Sequence, residues 1–187
     1  NTVTAPQDQN TNPNEVQGAL DFIRQWDEDE NGMLLAVQIL NDESLFLNHK
    51  IYAAASINRR IPYIWGKIPP EDRLNLRTQF FNLFENSPPP TTDYESLLFD
   101  MIIDMNVSIA LFEFPQEWED LSSILFMDLS GIEDPVKKMH YYHFIGKLIM
   151  AIDKSPNITP DRIQFLRNLF LDNCEILFSH IFDCFSF

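Results

Sequence analysis

Apolar residues recur at intervals of three and four along most of this chain, and prolines, glycines and acidic clusters fill the gaps between one run and the next. Val16, Leu20 and Ile23 share one face of a first helix, and the acidic turn from Asp27 to Gly32 separates it from a second that carries Leu34, Val37 and Leu40. A third carries Leu47, Ile51, Ala54 and Ala55. Its expected N-cap is Ser44, and it is expected to end before Pro62, because proline disfavours the helical conformation in the residue preceding it. Pro69-Pro70-Glu71-Asp72 suits the first turn of a fourth, whose stripe is Leu76, Phe80, Leu83 and Phe84. After Ser87-Pro88-Pro89-Pro90 a fifth begins near Asp93, runs through Leu98, Ile102, Met105, Ile109 and Phe112, and breaks at Pro115 before Trp118, Leu121 and Leu125 resume the pattern. Tyr142, Ile145, Ile149 and Ile152 define the next. A turn at Ser155-Pro156-Asn157 then leads from Thr159-Pro160 into a run through Ile163, Leu166, Phe170, Leu177 and Ile181.

The pattern is helix, turn, helix, repeated about every 40 residues, which is the period of HEAT and armadillo arrays, where no pair can bury its apolar face alone and each stacks on its neighbours. The fold class expected is all-α, an α-α superhelix of antiparallel helix pairs. The polar opening, residues 1–13 with two prolines, reads as a disordered leader. Residues 14–128 hold three repeats, and residues 129–187 a further helical repeat, expected to be truncated because the last apolar run, Ile181, Phe182, Phe185 and Phe187, asks for a cover. The opening without Met fits the same expectation of a piece of a longer solenoid.

A net charge of −15 over 187 residues changes the picture of partners. Nucleic acid and anionic membranes would repel such a chain, whereas a basic protein surface would attract it; solubility alone also accounts for acidity. Cys174 and Cys184 lie on what reads as one continuous helix, about 15 Å apart at ~1.5 Å per residue, too far for a disulfide, so reduced thiols are expected. No uncharged run approaches the roughly 20 residues of a membrane span, and no signal peptide is legible, so a soluble chain is expected.

Candidate chemistry is sparse. Asp27-x-Asp29-x-Asn31-Gly32 matches the first half of a calcium loop, but the twelfth position is Gln38, whose neutral amide cannot supply the bidentate carboxylate. His140 and His143 stand three apart on a helix, a spacing able to hold a metal, with no third ligand in the nearby sequence. Neither cysteine has an electropositive setting, and no phosphate-binding loop, nucleophile elbow or zinc-protease motif occurs. Arg59, Arg60, Lys67, Tyr63 and Trp65 form a small basic aromatic group, in which Trp65 is expected to pack between repeats. An enzyme is not expected, and neither a cofactor nor a metal.

Four pieces in order carry a resemblance. They are Ala19 to Trp26; Leu34 to Leu40, ending in an Ile-Leu pair; Tyr52 to Ile61 followed by Trp65, Ile68-Pro69 and Arg73; and Phe114-Pro115 followed by Trp118 and Leu121. Over residues 18–125 the chain thereby resembles the N-terminal domain of the importin-β (karyopherin) superfamily of importins and exportins. Asn58-Arg59 stands where many importins have Lys-Asn, and the spacing around Trp65 is nearer to exportins, so import and export both stay open.

The resemblance implies a nuclear transport receptor that shuttles between nucleus and cytoplasm. Such a receptor binds the GTPase Ran in its GTP form through the second helices of its N-terminal repeats and carries cargo protein past nucleoporin repeats. The polar positions opposite the buried stripes, Gln38, Asp42, Asn75, Gln79, Asn82, Glu117 and Asp120, are the implied Ran-facing candidates. A HEAT-type scaffold of another cytosolic complex and a calcium-binding helical module are the alternative readings.

Overall fold

A computed structural model describes residues 32–184 together with Asp21, and the described chain is helical throughout, with no strand among these residues. In chain order the helices are α1 (Gly32–Asn41), α2 (Leu47–Ile64), α3 (Pro70–Glu85), α4 (Asp93–Glu113), α5 (Glu119–Ser123), α6 (Pro135–Ile152), α7 (Pro160–Asp172) and α8 (Cys174–Cys184). A 3-10 turn, Trp65–Lys67, extends α2, and a π turn (Ile124–Asp128) followed by a 3-10 turn (Leu129–Gly131) leads from α5 towards α6. The first helix read from the sequence and the leader before it lie outside the described residues, apart from Asp21.

Several starts follow from their sequence. Thr92 and Glu95 close a capping box on α4, the Thr92 hydroxyl accepting from the Glu95 N–H at 3.2 Å while the Glu95 carboxylate accepts from the Thr92 N–H at 3.1 Å. Pro135 and Pro160 open α6 and α7 behind Asp134 and Thr159, whose side chains accept from Val136 and Arg162. α2 differs from expectation at both ends. Ser44 donates its N–H and its hydroxyl to Asp42 at 2.9 and 2.6 Å, so it belongs to a turn, and the helix starts at Leu47 without a side-chain cap. At the other end the helix passes through Pro62 to Ile64. Proline there costs about 3 kcal/mol through a lost bond and crowding, but Ile57, Ile61 and Trp65 are all fully buried on one stripe, and burying such side chains contributes about 1.5–3 kcal/mol each. The run from Thr159 through Ile181 is two helices, divided where Asn173 turns its amide back onto the Leu169 carbonyl at 2.8 Å, whereas Cys174 and Cys184 share one continuous helix, α8, as expected.

α4 is the centre of the packing. It lies against α2 on one side and α6 on the other, with α3 on its flank; α1 packs on α2, and α7 on α6. α2 thus packs most closely on α4 and α1, not on α3, the neighbour with which the sequence pairs it. Its fully buried Ala53, Ala54 and Ser56 let the flanking helices approach closely. Polar ties fix the layers: the Asn58 amide donates to the Met101 carbonyl at 2.9 Å, and the buried Asn106 amide donates to Phe80 and Ile102 carbonyls at 3.1 and 2.9 Å. Phe81, Phe84, Phe99, Tyr141 and Phe144 fill the seam between α3, α4 and α6 with edge-on, stacked and tilted ring contacts.

Candidate functional site

Two of the four stretches that carry the sequence resemblance, one holding Trp65 and Arg73 and the other beginning at Phe114, come together at the end of α4. Glu113 is 2 % exposed. One of its oxygens accepts from the Trp65 indole N–H at 3.0 Å, and the other from Arg77 at 2.6 Å. Arg73 approaches the first oxygen at 3.7 Å and pairs with Glu117 at 3.2 Å. Arg77 also donates to the Glu117 backbone carbonyl at 2.6 Å and lies over the Trp118 ring, 5.3 Å from its centre. From the opposite side Arg162 on α7 donates to the carbonyls of Leu111 and Phe114 and to the Gln116 side chain. Burial holds the Arg162 guanidinium below its ordinary pKa, against the pull of Glu117. The Phe114–Pro115 peptide is cis, and Phe114, Trp118 and Leu121 are buried around it. The turn after α4 is therefore gripped by side chains from the helices before and after it. Carbonyls left without partners where α4 ends are satisfied by arginine.

The seven candidate partner-facing residues are spread over α1, α3 and the segment from the end of α4 into α5. Gln38 is exposed on α1, and Asp42, just beyond it, is held by Ser44, whose hydroxyl and N–H keep the Asp42 carboxyl below the usual range. Glu117 belongs to the joint just described, and Asp120 is exposed on α5 nearby. Asn75, Gln79 and Asn82 do share a face of α3: the Gln79 amide donates to Asn75 at 3.2 Å, and Gln79 and Asn82 line a cavity of about 500 Å³ between α1 and α3. Asn41, Glu43, Lys50, Asn86 and Ser87 complete its polar lining, none of them singled out as a site residue by the sequence reading. The signal was present for one: Asn86 continues the spacing of Asn75, Gln79 and Asn82 along the same helix face.

Other candidate groups are dispersed or fall outside the description. His140 is buried against Phe99, ring centres 4.2 Å apart, and neither of its nitrogens has a hydrogen-bond partner among the described residues. His143 instead faces Asp100, its Nε2 3.3 Å from the carboxylate. The two therefore do not converge as ligands, and among the described residues no three His, Cys, Asp or Glu side chains gather as a metal site would need. Asp27, Asp29 and Asn31 of the calcium-like stretch lie outside the described residues. Cys174 and Cys184 stand at opposite ends of α8. In the basic aromatic group Trp65 and Arg60 are buried while Tyr63 is exposed, so it offers no single face. No helix among the described residues is long and apolar enough to cross a membrane. Compared with protein-family models and with curated proteins, the chain matches none.

Proposed function

We propose that this chain is the N-terminal portion of a nuclear transport receptor of the importin-β kind, binding Ran in its GTP form and taking part in protein transport between cytoplasm and nucleus. The observation that carries the reading is the convergence at Glu113. Trp65 and Arg73 belong to one of the stretches that resemble the family, and Phe114, Trp118 and Leu121 to another. Pieces that resemble a family only by chance have no reason to meet across more than 40 residues of chain in one buried joint.

The packing order supports the superhelical part of the reading. α2, α4 and α6 follow one another as one layer, with α1, α3 and α7 each packed against a member of it. A stack built this way contacts mainly its neighbours and presents a long surface. A partner that bridges several repeats favours one curvature over another, which is how binding at one end of such a receptor is coupled to cargo held elsewhere. On this reading the work is recognition, not catalysis. Its partners are Ran, cargo protein and nucleoporin repeats, and it shuttles through the nuclear pore.

The test is binding of the purified chain to Ran loaded with a non-hydrolysable GTP analogue and, in parallel, with GDP. A clear preference for the GTP form, weakened by Asn75→Ala with Gln79→Ala, is the expected result. Equal or absent binding by a folded, helical sample would leave a helical scaffold of some other complex as the better reading.

A further inference from the structure

The cavity between α1 and α3 does not end where the joint's neighbours begin. A second cavity of about 370 Å³ adjoins it, and the two share Lys50, Ser87, Pro88, Leu98 and Ile102, so they run together as one groove. Its floor is apolar, supplied by Leu40, Leu83, Leu98 and Ile102. Its walls carry carboxamides: Asn41 at the end of α1, and Gln79, Asn82 and Asn86 along α3.

These amides are only partly used. Asn41 and Asn86 each spend one N–H of the NH2 on a carbonyl of their own helix, at 2.9 Å in both cases, which leaves the second N–H to donate and the oxygen to accept. Gln79 donates to Asn75 and keeps its own oxygen. The exposed Asn82 side chain has no partner among the described residues. A carboxamide both donates and accepts and does not ionise. The molecular surface that alternates donors and acceptors in this way is an extended main chain, whose N–H and C=O groups are unspent. A helix has already satisfied its own backbone groups and would leave the amide row facing nothing.

Charge narrows the occupant further. Lys50 is the one cation among the lining residues, which is too little for a phosphate backbone on a chain of net charge −15. Glu95 is committed to the Thr91 and Thr92 cap, whereas Glu43 stands at the rim with no partner among the described residues. From Gln79 to Asn86 the amides of α3 that line the groove span about 10 Å at ~1.5 Å per helical residue, the length of about three extended residues.

We infer that the α1–α3 groove binds an extended polypeptide segment of a partner protein, reading its main chain with the amides of Asn41, Gln79, Asn82 and Asn86, its apolar side chains on the floor, and a Lys or Arg at Glu43. The inference does not require Ran, and its test contains none. A phage-displayed library of random 12-residue peptides is selected on the full chain, and enriched sequences are synthesised and titrated by fluorescence anisotropy. The expected peptides combine apolar residues with a Lys or Arg. They bind without becoming helical, lose about tenfold or more in affinity to the Asn82→Ala/Asn86→Ala chain, and lose binding when alternate backbone nitrogens are methylated. Both altered residues are exposed, and circular dichroism with a thermal melt establishes that the variant is folded; Asn41→Ala, on the opposite wall, gives the same reading independently. Failure to enrich any peptide, equal affinity for the variants, indifference to N-methylation, or a peptide that turns helical on binding would each overturn the inference.

Discussion

The joint at the end of α4 and the groove bounded by α6, α7 and α8 are both places where helices of this chain meet, yet they are made of opposite materials. At the joint one buried carboxylate is held by an indole and two arginines, and a third arginine closes the turn from the other side. The α6–α8 groove, about 570 Å³, is lined by Ile145, Ile149, Phe170, Leu171 and Phe178 and others, with the Arg167–Asp153 pair at 2.8 Å as its polar element. That pair is about half exposed on both sides, the kind that contributes about 0–1 kcal/mol. Directional bonds among groups that cannot be left unpaired allow one arrangement; apolar walls accept many. The first region fixes how successive layers sit, and the second leaves its layer adjustable.

The largest expected effect comes from breaking the joint. Glu113→Ala leaves Arg77 and the Trp65 indole without their shared acceptor inside the protein, and removing one member of a buried pair costs about 3–5 kcal/mol. Urea unfolding of the variant is expected to show a loss of that order, whereas Leu171→Ala in the α6–α8 groove, at a side chain 66 % exposed, stays within about 0.5 kcal/mol. Comparable losses at the two sites would erase the distinction drawn between them.

That distinction also marks how much was legible in the sequence. The stripes of α3 and α4 are local, so Leu76, Phe80 and Phe84, or Ile102, Met105 and Ile109, could be read from spacing alone, and each is buried. Glu113 could not. An acid at a helix end reads as solvated, and what buries it comes from Trp65 and Arg77, 48 and 36 residues away. Pro62 misled for the converse reason: the local preference against helix is real, but the tertiary burial of Ile61 and Trp65 outweighs it. Of the seven partner-facing candidates, three share the α3 face because the helix period places them there, while Glu117, still exposed, takes part in a pairing with Arg73 that only the fold creates.

Between the two regions lies the α4–α6 interface, and His140 tests whether it behaves as an apolar seam. Burial lowers the His140 pKa below its ordinary 6.5, His143 adding to the effect and Asp134 opposing it. Glu85, bonded to the Tyr141 hydroxyl at 2.6 Å, and Asp100 and Asp104, both paired with Lys147, are the other charged groups of the seam. Well above pH 6.5 the imidazole is neutral in both states and contributes nothing to pH dependence. As the pH falls through that value the unfolded chain takes up the proton and the folded chain resists it, so stability declines until the lowered folded pKa is reached. The urea midpoint is therefore expected to drop between pH 7.5 and 5.5 in the parent chain and to hold more nearly level in His140→Leu. Asp42 and Glu95, both with carboxyls held low by their hydrogen bonds, lose their contributions only in more acid solution. An unchanged slope in the variant would mean that the seam's pH response arises elsewhere.

The last effect is small, belongs to the groove itself and has the opposite sign. Gly146 sits inside α6 on the groove wall, and a Cβ added there meets nothing within 4 Å. A mid-helix glycine costs about 0.5–1 kcal/mol relative to alanine through the freedom it gives the unfolded chain. Gly146→Ala is thus expected to raise stability by about that amount in the same urea titration. A well-packed wall would have punished the extra methyl. A gain shows that this side of the molecule has room to spare, and a loss would show that the groove closes in solution more tightly than its open walls imply.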